Sequence, residues 1–525
     1  MKKLISLLFA VVLVFTFASC NTGELEEDFT DNGEQYEIVF YTPMGGTFTG
    51  FEKVQNAINQ YLPTVLPATT LKMMPIAWFE YTGKLSPIIG ASSSFDICFT
   101  SPDINNYLSN VGREAFYPVD KLMDKFAPQT KAMFNADLWE CAKVKGKTYA
   151  VLNNQILPRT ASACISDTNK FNAFLAEKFG ANVDKENVYT RISSSLGNGY
   201  DYYSLIEDYA NYLSKNNLGK GVNGKGIVSG INPASTMQTW YGFDDLGTGA
   251  ATPGVVRVKD NSATVIDQYE SAEFDYMINK IIEWRQSGLI PADIANRGNN
   301  SLDLDVTNSS TWKPGDMRLM DKAKNIYAEP VRLGDPVYYN AFVTGTMLAI
   351  SSTSKNPARA MKFIELLHTD EKLHNLLVFG IEGEDYEKSD VPGKVKVNPT
   401  SNYVNSEMGW AYGNQFLSMI KDTQNENVWS ETQIVNDTAY ISGVIGFSFD
   451  PTPVQAEIAA CNAVYNRYFD SSQMSGLCRA DTKQGDKEAN LAQLAEFKSR
   501  MKNAGSQKII EEKQRQLNEW LKNKK

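Results

Sequence analysis

Histidine is nearly missing from this 525-residue chain: there are two, His368 and His374. Neither an HExxH motif nor a Cys/His ligand spacing accompanies them, so the sequence gives a zinc site no support and calls for no metal or cofactor. Cysteine is scarce too, with six residues and no CxxC arrangement. Beyond Cys20, the residues Cys98, Cys141, Cys164, Cys461 and Cys478 are odd in number and cannot all pair among themselves. Buried thiols are expected for most of them, and a Cys461–Cys478 pair stays open. A GxxxxGK[ST] loop is missing, which excludes P-loop nucleotide chemistry. Basic residues are outnumbered, 51 Lys and Arg against 61 Asp and Glu, for a formal charge of −10. Such a surface repels phosphate backbones and anionic headgroups, which argues against nucleic acid and direct membrane adsorption. No apolar run reaches the roughly 20 residues that cross a bilayer.

The N-terminus has charge only at Lys2 and Lys3, followed by an uncharged apolar segment from Leu4 to Phe17 and by small Ala18 and Ser19. That is the layout of a secretion signal. The stretch FTFASC, 15–20, resembles the lipobox of bacterial lipoproteins, whose cysteine thiol takes diacylglycerol and whose amine becomes the mature N-terminus. The resemblance implies a signal peptide at 1–19 and a lipidated Cys20. Residues 21–35 hold six acids and neither Lys nor Arg, so 20–35 reads as the lipidated Cys and a solvated, extended acidic tether. Membrane attachment would come from lipid alone.

What is abundant is core-forming material. A hydrophobic content of 42% and an aromatic content of 11% in a chain this long fill more than one core, so two or more lobes are expected. YEIVFY (36–41) reads as a buried strand that stops at Pro43 and Gly45; Val54, Ile58, Tyr61 and Leu62 then recur at helical spacing. LKMMPIAW and FDICFTS supply two further strands, with an apolar helical segment, KLSPIIGAS, between them. Strand, helix, strand, helix, strand predicts a parallel sheet with helices on its faces. Ligands collect at the carboxyl ends of such strands, which puts Tyr41, Thr42, Pro43, Trp78, Phe79, Thr100 and Ser101 on the relevant edge. Extended runs at 146–155 and 341–352 predict that the chain crosses between lobes more than once. The C-terminal part reads as helices, with Gly505 ending one and Ser506 capping the next.

Several stretches in order, among them FDICFTS, LWECAKVKGKTYAVLNNQ, NPARAMKFIELLHTDEKL, WAYGNQF, GFSFDPTPVQAEIAACNAV and KIIEEKQRQLNEWL, resemble the extracellular solute-binding lipoproteins of ABC importers. The likeness is to the large carbohydrate-associated group whose C-terminal region forms its own domain. GLCRADTKQGDKEANL departs from the group's pattern. The resemblance implies an α/β, two-lobe type II periplasmic-binding-protein fold with hinge strands and a helical C-terminal extension. Lobe 1 would take 36–149 plus about 343–400, and lobe 2 would take 150–342 plus about 401–525. It further implies a monomer on the outer face of the cell membrane, extracellular or periplasmic. This receptor would shut on a sugar or oligosaccharide, deliver it to ABC permease subunits and catalyse nothing.

A neutral sugar presents a hydroxyl rim and apolar C–H faces, and so needs flat rings beside amide and carboxylate partners. The candidates are Tyr41, Thr42, Trp78, Ser101, Asn153, Asn154, Gln155, Trp240, Tyr241, Asp244, Trp410 and Asn414. Trp78 is expected across the cleft from Trp240 or Trp410. Each has a structural alternative: the tryptophans as core, the NNQ amides as turn caps. Trp284 and Trp520 are assigned to the core, and the GFSFDPTPV block to positioning the helix that follows, with Asp450 as its cap. Gly345 and Thr346 are hinge candidates. A surface-anchored glycoside hydrolase is the first rival and needs two carboxylates roughly 5 to 10 Å apart, from Asp244 and Asp245 or Asp96 and Asp103. A peptide or amino-acid receptor of the same fold would need a charged clamp such as Arg113 or Arg159. A lipid-anchored scaffold without ligand is the third.

Overall fold

The computed structural model describes residues 30–193, 199–229, 233–249, 251–259, 263–294, 303–308, 312–315, 318–321, 326–469 and 487–524. The expected signal peptide, Cys20, the first part of the tether, Cys478 and much of the departing GLCRADTKQGDKEANL stretch lie outside them.

The strand Tyr36–Met44 pairs in parallel with Thr69–Ala77 and Ile97–Thr100, and the helices Phe51–Val65 and Tyr81–Gly90 make the crossovers. Val54, Ile58 and Leu62, spaced as the sequence predicts, are fully buried. A fourth strand, Met347–Ile350, lies antiparallel between Ile97–Thr100 and Val151–Leu152. The chain therefore leaves this sheet after Leu152, builds a second body and returns to fill the gap it left. Helix Pro357–Thr369 covers the sheet with Met361, Ile364 and Leu367, none of them exposed.

A second core gathers residues from Ala161 to Leu333 with Val444 to Leu517. Its four-stranded sheet is antiparallel, in the order Val306–Asn308, Ser162–Ile165, Ile326–Arg332, Arg318–Asp321. The helices Gln455–Tyr468, Lys487–Ala504 and Ser506–Asn523 join this core through Cys461, Phe497, Met501, Ile509 and Leu517. Among the described residues, three segments connect the two cores. Arg159 and Val337 exchange backbone hydrogen bonds of 2.8 Å each, and Val337–Tyr338 pairs in parallel with Tyr440–Ile441. Asn340 binds across them, donating to Val444 O at 3.0 Å and accepting from Gly446 N at 2.9 Å. The two-lobe α/β fold with crossing strands is present.

Three expectations need correction. Tyr403, Met408, Ala411 and Tyr412, expected in the second lobe, pack into the first core, where the Tyr412 hydroxyl donates to Pro43 O and Asn405 Oδ1 accepts from Gly45 N. The tether is pinned rather than solvated at Asp31, whose carboxylate takes two bonds from Arg359, at 2.6 and 2.8 Å, and one from Lys362 at 2.7 Å. Arg359 is itself sealed and also donates to Ala68 O and Thr69 Oγ1, and these cations hold the Asp31 carboxyl well below the usual carboxylate range. Ser506 is the first residue of its helix; Gly505, at φ +102, makes the turn. The described cysteines Cys98, Cys141, Cys164 and Cys461 are free and buried, and burial pushes the Cys461 thiol up to about 11.

Candidate ligand-binding cleft

A cavity of about 820 Å³ opens on the second lobe where the crossing segments leave it. Its wall is built from local devices. Asp201 caps the helix Tyr202–Lys215, accepting from Ser204 N at 2.8 Å and Ser204 Oγ at 2.7 Å, and so sets Tyr202 and Tyr203 at the helix mouth. The other Asp201 oxygen accepts from the Tyr276 hydroxyl at 2.7 Å. Trp240 and Tyr241 follow the helix Pro233–Thr239, and Gly242, at φ +68, turns the chain into a hairpin of Phe243–Asp244 with Val256–Arg257. The Tyr203 ring sits edge-on to Trp240 at 5.3 Å and to Tyr276 at 5.5 Å. From the crossing segment, Tyr339 donates to Gln238 O at 2.8 Å. Burial raises the phenols of Tyr203, Tyr241 and Tyr276, so all three stay neutral at physiological pH.

The cations that line this cavity are paired. Arg257 grips both oxygens of Glu273, at 2.9 and 3.1 Å, and Lys259 lies 3.7 Å from Asp335. What remains is ring faces, hydroxyls and carboxylates, the groups that meet a polyhydroxylated, uncharged solute.

Of the residues predicted from sequence, Trp240 and Tyr241 line this cavity. Trp78 and Trp410 do not face one another across a gap. Their rings touch edge to face at 5.0 Å, both also against Phe99, as one half-buried cluster on the first lobe. Phe79, beside them at the carboxyl end of its strand, is 97% exposed. Tyr41 packs edge-on against Phe95 at 5.2 Å, Thr42 is sealed with its hydroxyl unpartnered, and Ser101 Oγ caps a turn by accepting from Ile104 N at 2.8 Å. Asn153, Asn154 and Gln155 latch the crossing segment: Asn153 donates to Trp410 O, Asn154 to Asn414 Oδ1, Gln155 to Thr346 Oγ1. Asp244 has no exposed surface; its oxygens accept from Leu246 N at 2.9 Å and from Asn340, which fixes the loop to the crossing. Burial and neighbouring Asp245 raise its carboxyl to about 7. Trp284 is buried as expected and donates to Glu207 at 2.6 Å, Trp520 packs on Phe447 at 5.8 Å, and Asp450 caps its turn by accepting from Thr452.

Sequence reasoning missed Tyr189, Tyr202, Tyr203, Arg257, Glu273 and Tyr276. The available signal was DYY at 201–203, an N-cap followed by two tyrosines where a helix end opens toward a cavity.

Comparison with known proteins decides the architecture. The crystal structure of the N-glycan transport solute binding protein NgtS from Streptococcus pneumoniae superposes with a TM-score of 0.70 at 20% identity, covering 93% of this chain and 100% of that one. This chain has the solute-binding-protein fold. The NgtS complex with Man1GlcNAc superposes at 0.66 with the same identity, over 93% and 99% of the two chains. An extracellular solute-binding protein from Bifidobacterium longum subsp. infantis gives 0.56 at 15% identity, again over 93% and 99%. In sequence, a carbohydrate ABC transporter substrate-binding protein of Streptococcus pneumoniae serotype 4 is 25% identical over 534 residues, 98% of this chain and 97% of that protein. Residues 443–522 match the family described as Domain of unknown function (DUF3502). The resemblance read from the sequence holds along the whole chain, C-terminal domain included.

Proposed function

We propose that this protein is the solute receptor of an ABC importer and captures a neutral oligosaccharide in the aromatic cavity of its second lobe. The observation that carries this is the cavity's chemistry, in which Trp240 and four tyrosines, Tyr202, Tyr203, Tyr241 and Tyr276, surround a space whose cations are all engaged by carboxylates. Such a wall offers stacking for pyranose faces and acceptors for their hydroxyls. The first lobe then closes with the Trp78, Phe79 and Trp410 surface, because a ligand favours the closed state only through contacts that differ between states. The NgtS complexes contain Man1GlcNAc and Man5GlcNAc, so mannose-bearing glycans are the first ligands to try. Delivery to a permease, a lipid on Cys20, an outer-face location, a monomeric state and the lack of catalysis complete the reading.

The rival readings fit the cavity less well. A hydrolase needs one carboxylic acid held protonated beside a second carboxylate. Arg257 occupies both oxygens of Glu273, and Asp201 accepts three bonds, so neither carboxyl is left free to face a glycosidic oxygen. For an amino-acid receptor, neither Arg113 nor Arg159 lines the cavity, and Arg159 lies over the Phe342 ring at 4.5 Å. Calorimetry of the purified protein with Man5GlcNAc and a panel of neutral and anionic oligosaccharides tests the proposal. Heat with neutral glycans and none with uronate or sialylated ones is expected; release of smaller sugars during the titration would overturn it.

A further inference from the structure

The helix Ser506–Asn523 belongs to the C-terminal domain of unknown role, and its Lys513 is sealed from solvent. A buried ammonium needs partners for its three N–H bonds or it gives up its charge. Lys513 Nζ has three: Asp245 O at 3.1 Å, Thr248 Oγ1 at 2.7 Å and Gly254 O at 2.6 Å. Burial pulls the group down to about 7, while Asp245 and Asp244 push it back up. All three acceptors lie in one connection, between Phe243–Asp244 and Val256–Arg257. Trp240 and Tyr241 precede that hairpin and Arg257 and Val258 close it, and all four line the cavity.

The contact continues inward. Asp245 Oδ2 accepts from Gln238 Nε2 at 2.7 Å, and Gln238 O accepts from the hydroxyl of Tyr339 on the cavity wall. The fit is close on the other side as well: Gly254 sits at φ +94, and a Cβ there would stand 2.8 Å from Lys513 Cδ. Two further bonds come from the same domain. Gln514 Oε1 accepts from Val265 N at 2.7 Å, and Asn462 Oδ1 accepts from the Thr252 hydroxyl at 3.2 Å.

We infer that the C-terminal domain positions the sugar pocket from behind, with Lys513 as the positioning residue that locks the hairpin connection and thereby the wall bearing Trp240, Tyr241 and Arg257. The inference rests on reading the cavity as the ligand site. A wall held in its binding geometry spares the ligand the cost of ordering it, so a domain that touches no sugar sets the affinity for sugar.

The test compares Lys513→Met, which keeps the stem and deletes three donors, with Met501→Ala, which loosens the same domain's core and leaves the lysine's three bonds in place. In the ligand-free full chain, hydrogen exchange at amides of 242, 246–247 and 254–258 is expected to speed up about tenfold in Lys513→Met relative to the rest of the lobe, and uniformly or not at all in Met501→Ala. Calorimetry with Man5GlcNAc is expected to show binding weakened about tenfold by Lys513→Met and by less than about twofold in Met501→Ala. Gly254→Ala should reproduce the lysine variant, and takes its place if Lys513→Met does not fold. Equal local exchange in the two variants, or undiminished binding by Lys513→Met, would overturn the inference. If the unaltered protein ignores Man5GlcNAc, the functional reading loses support, while the exchange measurement still decides this one.

Discussion

Aromatic rings pack edge to face on both lobes, but in the second the packed rings also border a cavity. Trp78, Phe99 and Trp410 meet edge to face with no room between them, and one ring, Phe79, is left outside. Trp240 and its tyrosines instead line about 820 Å³. A solid surface can only press on a solute, whereas a hollow one can surround it. Under the proposed function this difference divides the roles: the second lobe would hold the ligand, and the first would cover it.

That contrast can be broken most forcefully at Trp240. Trp240→Ala should remove about 4 kcal/mol of stability, since the ring is buried against Tyr202 and Tyr203, and should weaken glycan binding about 100-fold. Denaturant unfolding and calorimetry read the two effects, and unchanged affinity would remove the hollow from the site.

Acid should also separate the lobes. In the first, His374 is buried with Nδ1 on Tyr412 O and Nε2 on Ser418 Oγ, and burial lowers it to about 4. Its unfolded form binds a proton from pH 6.5 downward while the folded form does not, so stability falls as pH drops through that window, by up to about 3 kcal/mol. His368, lowered by burial too, acts in the same direction against raised Asp96 and Asp103, and Asp31, lowered by its Arg359 bonds, adds to the loss only as pH falls below about 4. In the second lobe Asp244 keeps its proton up to about 7, well above its unfolded value of 3.8. Its contribution is fully present below about pH 4 and is lost as pH rises through 7; burial raises Asp245, Asp267 and Asp305 too. Hydrogen exchange at pH 4.5 and 7.5 should therefore show the first lobe opening before the second in acid. The reverse order would contradict these assignments.

The smallest effect is expected at Phe79. With 97% of the ring exposed, Phe79→Ala should leave the melting temperature unchanged and weaken glycan binding by about fivefold. An affinity equal to wild type would deny the first lobe a covering role through that ring.

Legibility in the sequence followed distance along the chain. The first sheet could be read because its three parallel strands alternate with helices within about 65 residues, and each pattern is local. The crossings could be read as apolar extended runs. The pocket could not. Tyr202 and Tyr203 sit at helical spacing and read as core until the helix end is seen to open on a cavity, and Arg257 with Glu273 reveals its pairing only in three dimensions. Asp244 was a reasonable ligand partner by composition, since an acid beside aromatics suits a sugar; its total burial beneath Asn340 is a tertiary fact. Trp410 lies against Trp78 instead of across a cleft from it for the same reason, because nothing local says that 403–412 folds back onto the first core.

Asp31 has a mechanical meaning. Any pull on the chain from upstream of residue 30 is delivered through the Arg359 pair into the helix Pro357–Thr369 and the edge strand Thr69–Ala77, both parts of the first lobe. A molecule moored upstream of that point would take the load in its first half, and the half proposed to hold the solute would carry none of it.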